Sequence, residues 1–170
     1  MDSRTLFTCL KYLLKGTSVR KSYVVAKDEL YKVSFETFPI AIIMNTAKRN
    51  QPPGQHWVAF FVQKFGHSIQ AIFFDSYMQT PSDYDLSFPY PTIYKRLHPL
   101  QSYGSNYCGL YSLYFLYHFS RGVNVESILS KFSMVTTDND NKVLDFYRRI
   151  RMSKSHVGGQ ICCPRVNNVV

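Results

Sequence analysis

The sequence predicts one α+β domain, and three observations carry that reading. The chain has 170 residues and 19.8 kDa, the size of a single ordinary domain. Hydrophobic residues make up 45% and charged residues 18%, which supplies a sizeable core and argues against wholesale disorder. Short β-branched and aromatic runs punctuated by turn residues occupy the first half, whereas helical spacing dominates the second.

Taken in order, residues 3–15 place Leu6, Leu10, Leu13 and Leu14 at helical spacing, with Ser3 as N-cap and Gly16 as terminator. Residues 17–37 read as loop-rich, with a short strand at 23–25. Ile40 to Met44 form a β-branched run, the pattern of a buried strand. Residues 48–54 (KRNQPPG) are a loop by composition. Residues 56–62 and 69–74 read as two paired strands joined at Gly66. Pro81, Pro89 and Pro91 make residues 79–94 a long surface loop. Residues 107–119 are apolar on every face and read as a buried central helix, capped by Ser105 or Asn106 and stopped at Gly122. Helices over 125–132 and about 140–151 follow, the second with Val143, Phe146, Tyr147 and Ile150 as its apolar stripe. After Lys154 periodicity is lost, so the expected division is a domain over 1–154 and a flexible tail over 155–170.

Composition narrows the function classes. Lys plus Arg exceed Asp plus Glu by a net charge of +9, with a pI near 9.4, which favours contact with polyanions and nucleic acid first. Cys9, Cys108, Cys162 and Cys163 do not make a disulfide framework in a chain of this length. There is no Cys-x-x-Cys pair and no short His spacing, so no structural zinc is expected. The apolar run at 107–119 is too short to span a bilayer. MDSRTLFTCLKYLLKG carries an early Asp and interspersed lysines with no small-residue cleavage site, so a soluble, cytosolically made chain without a signal peptide is expected.

Cys108 is the informative cysteine. The first turn of the expected helix would bring unpaired amides and the helix dipole to its sulfur, which stabilises a thiolate. Alone, a cysteine there is an ordinary core residue. A cysteine nucleophile needs a base, and the base needs an orienting partner. His56 opens a strand beside the Gly54 loop and Asp75 closes the next strand, so neighbouring strands would bring imidazole and carboxylate together. Gln101 precedes Cys108 and is placed to aim an amide N–H at an oxyanion alongside the Cys108 backbone N–H. Gly109 is read as leaving room for a substrate backbone.

The segments Ile43-Met44-Asn45-Thr46-Ala47, Gly54-Gln55-His56-Trp57-Val58-Ala59-Phe60, Phe74-Asp75-Ser76-Tyr77 and Gln101-Ser102-Tyr103-Gly104-Ser105-Asn106-Tyr107-Cys108-Gly109 occur in this order. The chain thereby resembles the adenovirus maturation protease (adenain) family, and most nearly the adenain-like proteases of Polinton/Maverick elements. The resemblance takes in Lys27-Asp28-Glu29-Leu30 and extends to about Phe132. It implies a central mixed sheet packed on a buried helix that carries the nucleophile at its N-terminus, an arrangement shared with the SUMO-specific proteases.

The resemblance also implies roles. Cys108 is the nucleophile, His56 the general base and acid, Asp75 the residue that orients His56, and Gln101 with the Cys108 amide the oxyanion hole, with Trp57 packed near the site. It implies a cysteine endopeptidase acting on viral structural precursors with glycine-rich cleavage sites, located in the virion and the host nucleus or cytoplasm. A SUMO- or ubiquitin-like-modifier peptidase, or a non-catalytic basic DNA-binding module, are the alternatives. No metal or small-molecule cofactor is expected, no membrane partner, and a monomeric state. Stimulation by a viral peptide or by DNA is implied by the family, but no cysteine lies between Cys9 and Cys108 to attach such a peptide covalently. Arg4, Lys11, Lys15, Arg20 and Lys21, with Lys142, Arg148, Arg149, Arg151 and Lys154, are the candidate contacts for non-specific DNA. The Gly158-Gly159 pair in the tail is a candidate site for self-processing.

Overall fold

Five strands form one mixed sheet in the order β1-β2-β3-β4-β5. They are β1 (Lys21–Ala26), β2 (Ile40–Asn45), β3 (Trp57–Phe65), β4 (Ser68–Phe74) and β5 (Thr92–Ile93). The outer pairs β1/β2 and β4/β5 are parallel, whereas β2/β3 and β3/β4 are antiparallel. Helices α1 (Ser3–Leu13), α2 (Cys108–Phe119), α3 (Val125–Leu129) and α4 (Thr136–Ser155) complete an α+β domain. The computed structural model describes residues 1–51 and 56–155, with side chains as far as residue 150. The tail beyond Ser155, with its diglycine, lies outside the described residues, as does the loop past Gln51. Among the described residues no helix is long and apolar enough to cross a membrane.

Alternation along the strands builds two separate cores. Ala41, Ile43, Ala59, Phe61, Ile72 and Phe74 face the helices. Ile40, Ile42, Met44, Phe60, Val62 and Phe73 face the other way. Because β2 is covered on both faces, its apolar run is continuous and every residue of it is buried. The turn between β3 and β4 is made by Gly66 at φ +58°, a left-handed conformation that a glycine adopts without steric cost.

The second face is where the expectation of a plain surface loop at 79–94 is corrected. That segment carries a 3₁₀ turn at Pro81–Tyr84 and the short strand β5, and it supplies Tyr84, Leu86, Phe88 and Tyr90 to the core. Phe88 stacks on Phe60 with centroids 4.3 Å apart and planes within 6°. Residues 17–37 likewise contribute Leu30 and Phe35. A sheet with apolar residues on both faces needs two covers, and irregular aromatic chain is the second.

On the helical face α2 is the central element, with Gly109 through Leu116 all buried, as its uniformly apolar sequence predicts. Several boundaries differ from expectation. Asp2 rather than Ser3 caps α1, its Oδ1 accepting the Thr5 amide at 2.9 Å. Helix α3 stops at Leu129, and Phe132 instead packs on Tyr111 and Tyr114. Helix α4 begins at Thr136, about two turns before its first apolar residue, Val143, because the buried polar pair Asn139 and Asp140 anchors its start.

Gly109 serves packing and not substrate access. A Cβ built there would lie 3.0 Å from Leu6 Cδ2 and 3.4 Å from Cδ1, so the missing side chain is what lets α1 seat against α2. Gly109→Val should destabilise the fold by about 1–3 kcal/mol through overpacking, read from urea unfolding, and adding Leu6→Ala should recover part of that loss.

His118, at the exposed end of α2, sits against Tyr114, Tyr117 and Phe146. Burial, then the charges of Lys131 and Arg121, hold its pKa down to about 4. The unfolded chain binds this proton near pH 6.5, so stability should fall as pH drops from 6.5 towards 4. In His118→Phe that fall should be smaller, measured as the denaturation midpoint at pH 7 and pH 4.5.

Candidate active site

Four side chains singled out by sequence come from the ends of three elements. His56 precedes β3, Asp75 follows β4, Cys108 opens α2, and Gln101 lies in the loop that leads into α2. The antiparallel register pairs Ala59 with Phe74, so the start of β3 and the end of β4 emerge at the same edge of the sheet. His56 Nε2 and Asp75 Oδ1 are 2.5 Å apart, with both side chains almost fully buried.

Asp75 is surrounded by donors. Its Oδ1 also accepts the Tyr77 amide at 3.1 Å, while Oδ2 accepts the Gln79 amide at 3.0 Å and the Tyr84 hydroxyl at 2.8 Å. The two backbone bonds fold residues 75–79 into a tight turn that puts Met78 at φ +57°, an uncommon conformation for a methionine, held by burying its side chain in the core.

The Cys108 side chain also lies close enough to the His56 imidazole to act on its charge. With Nε2 committed to Asp75, Nδ1 is the nitrogen left for the sulfur. Burial alone pulls the His56 pKa down. The hydrogen bond with Asp75, and the charges of Asp75 and Cys108, outweigh it and lift the pKa from 6.5 to about 9. The ring lies between two tyrosines, with centroids 4.9 Å from Tyr77 and 5.5 Å from Tyr84. Among the described residues Cys108 is the free cysteine, and it is half-buried.

Helix α2 has no side-chain cap. Tyr107 occupies the N-cap position without a cap hydrogen bond, which corrects the expectation that Ser105 or Asn106 would fill it. A capping side chain would take the first-turn amides beside the sulfur, and their freedom is what an incoming anion needs. Ser105 uses its carbonyl instead, accepting from Gln101 Nε2 at 2.6 Å.

Gln101 is buried and held at both ends of its amide. Ser76 Oγ donates to its Oε1 at 2.6 Å, and Nε2 keeps one hydrogen beyond the bond to Ser105. The backbone is pinned too, since the Ser76 carbonyl accepts from the amides of Leu100 and Gln101. The Leu100 carbonyl in turn receives Asn139 Nδ2 at 3.1 Å and lies 3.0 Å from the Tyr111 hydroxyl, which also reaches Asp140 Oδ1 at 2.8 Å. The start of α4 therefore clamps the loop that carries Gln101.

Trp57, expected near the site, is half-buried beside His56. Its Nε1 donates to the Met1 carbonyl at 3.2 Å, and its own carbonyl receives Ser112 Oγ of α2. It forms one wall of a cleft of about 450 Å³ whose other walls include Val24, Ala26, Asn45, Ala47 and Arg49. Ser76, Tyr77, Tyr84, Asn139 and Asp140 are the supporting residues that sequence reasoning missed. Only Ser76 and Tyr77 carried a signal, as neighbours of Asp75.

No protein-family model matches the chain, and no curated protein matches it significantly.

Because the folded pKa of His56 lies above 6.5, its pairing with Asp75 stabilises fully below pH 6.5 and is lost as pH rises through about 9. Asp75→Asn should lower the His56 pKa, seen by NMR titration of the imidazole, and should flatten the dependence of stability on pH between 6.5 and 9.

Proposed function

We propose that this chain is a cysteine endopeptidase with an adenain-like fold, cleaving viral structural precursors during particle maturation. The observation that carries the reading is the buried His56, bonded to Asp75 at 2.5 Å and facing Cys108, with its pKa raised to about 9. A charged imidazole donates one N–H to the Asp75 carboxylate and turns the other towards the Cys108 sulfur, an arrangement that stabilises a thiolate as it attacks.

In this mechanism the thiolate attacks the scissile carbonyl. The oxyanion is received by the Cys108 backbone N–H and by the Gln101 N–H that Ser105 leaves free. The imidazolium protonates the leaving amine, and the neutral ring then takes a proton from the water that hydrolyses the thioester. The cleft along Trp57 is the path assigned to the substrate chain, and a preference for glycine is what the resemblance implies. The maturation role rests on the Asn45-Thr46-Ala47 and Gln55-His56-Trp57 blocks rather than on the triad. Polyanionic DNA as a stimulating partner rests on the net charge of +9.

The test is a glycine-rich fluorogenic peptide library together with a thiol-reactive active-site label. Cys108→Ala should abolish both turnover and labelling while the fold persists, and His56→Ala should lose a similar amount of turnover. Gln101→Ala should lower kcat by roughly 10²–10³ with KM little changed. Wild-type kcat/KM should decline as pH rises through about 9, where the imidazolium is lost. Substantial turnover by Cys108→Ala overturns the proposal, and preferential cleavage of a folded ubiquitin-like modifier over extended peptides moves the substrate class.

A further inference from the structure

The opposite end of the sheet carries a groove that the triad does not use. It is a cavity of about 430 Å³ between α1 and the first residues of β1. Its apolar lining is Phe7, Leu14 and Val19, with Phe7 40% exposed although it is a large hydrophobic residue. Around it stand Lys11, Lys15, Arg20 and Lys21. Among the described residues no carboxylate pairs with Lys11, Lys15 or Arg20, whereas Lys21 donates to Ser34 Oγ at 2.9 Å and lies 3.8 Å from the exposed Glu36.

β1 is also an edge. It pairs with β2 on one side and with no other strand among the described residues. The Arg20 amide donates to the Pro39 carbonyl. In a parallel ladder this alternation turns the Arg20 and Ser22 backbone towards β2 and leaves the Lys21 and Tyr23 N–H and C=O groups facing outward. Tyr23 lines the same groove. An open strand edge, an apolar trough and three cations without a carboxylate partner, Lys11, Lys15 and Arg20, thus coincide on one surface.

We infer that this groove docks an extended, acidic segment of a partner protein, which adds a strand to β1, drops an apolar side chain towards Phe7 and Leu14, and sets carboxylates against Lys11, Lys15 and Arg20. Strand addition supplies the backbone bonds and the pockets supply selectivity. The same cations would also attract nucleic acid, but the shape of the groove favours a peptide. Lys11 Nζ sits over the Phe7 ring at 5.3 Å, which closes that face to a stacked base, and a trough of this volume holds two or three side chains, not a duplex. The chain's own residues 156–170 contain no Asp or Glu, so they do not complement the groove. The lining of this groove ends at Tyr23 and that of the cleft beside Trp57 begins at Val24, so the two follow one another along β1.

The experiment uses the full chain and a fluorescein-labelled ten-residue peptide alternating Glu or Asp with Leu, Val and Phe. Fluorescence anisotropy should show saturable binding that weakens as salt rises. Lys15→Glu with Arg20→Glu should weaken it about tenfold or more with an unchanged melting curve. N-methylating alternate peptide amides, so that one edge of the peptide cannot bond, should abolish binding, whereas methylating the other edge should not. Binding that survives both methylations equally, or that ignores the charge reversals, overturns the proposal. So does tighter binding of a single-stranded oligonucleotide that is lost in the same double variant while the peptide fails to bind, which would make the surface a nucleic-acid site. Peptide binding in Cys108→Ala should match wild type, so failure of the peptidase reading leaves this test intact.

Discussion

A single buried carboxylate organises this molecule. Asp75 is almost inaccessible to solvent, and removing such a charge from water costs several kcal/mol unless donors replace the water. Four donors do so, from His56, the Tyr77 and Gln79 amides, and the Tyr84 hydroxyl. Together the four fix three pieces of chain: the entry to β3, the turn after β4, and the 3₁₀ segment that begins the aromatic cover. The carboxylate is therefore at once a turn former, a docking point for the cover and the partner that charges the imidazole.

A parallel economy holds for the amide side of the site. Ser76, next in sequence to Asp75, binds Gln101 through its hydroxyl and its backbone, so the two halves of the site share one rigid dipeptide. Asn139 and Tyr111 hold Leu100 from behind, which transmits the position of α4 to the oxyanion side of the cleft. Helix α2 forgoes a side-chain cap that would be worth about 1 kcal/mol, and in return keeps first-turn amides open beside Cys108. Local stability is given up where an anion is to be held.

How much of this the sequence made legible follows from the range of the forces involved. The strands around Ile42, Phe60 and Phe73 and the helix around Phe115 are read correctly because period and apolarity are local properties. His56, Asp75, Gln101 and Cys108 stand out because residue type, order and spacing mark them together. Tyr84 is invisible, since its hydroxyl reaches Asp75 only after the loop folds back over the sheet. Asn139 and Asp140 carry no signal for the same reason; their partners Leu100 and Tyr111 lie far away in the chain. Gly109 was misread because the neighbour that needs its missing side chain, Leu6, belongs to another helix.

The two covers of the sheet are unequal in cohesion. One is a set of helices packed on α2, and the other is irregular chain held by Phe35, Phe88 and Tyr90 edge to face. Irregular segments open more readily than helices, so amide exchange behind Phe88 is set by sub-global opening rather than by complete unfolding. The cluster around His56 lies on the seam, since Cys108 belongs to the helical layer and Tyr84 to the other. A fluctuation that lifts the aromatic layer withdraws the Tyr84 donor from Asp75 while Cys108 and its helix stay folded. Any ligand that pins the aromatic layer therefore shifts the equilibrium towards the fully bonded carboxylate without touching the helical half of the domain.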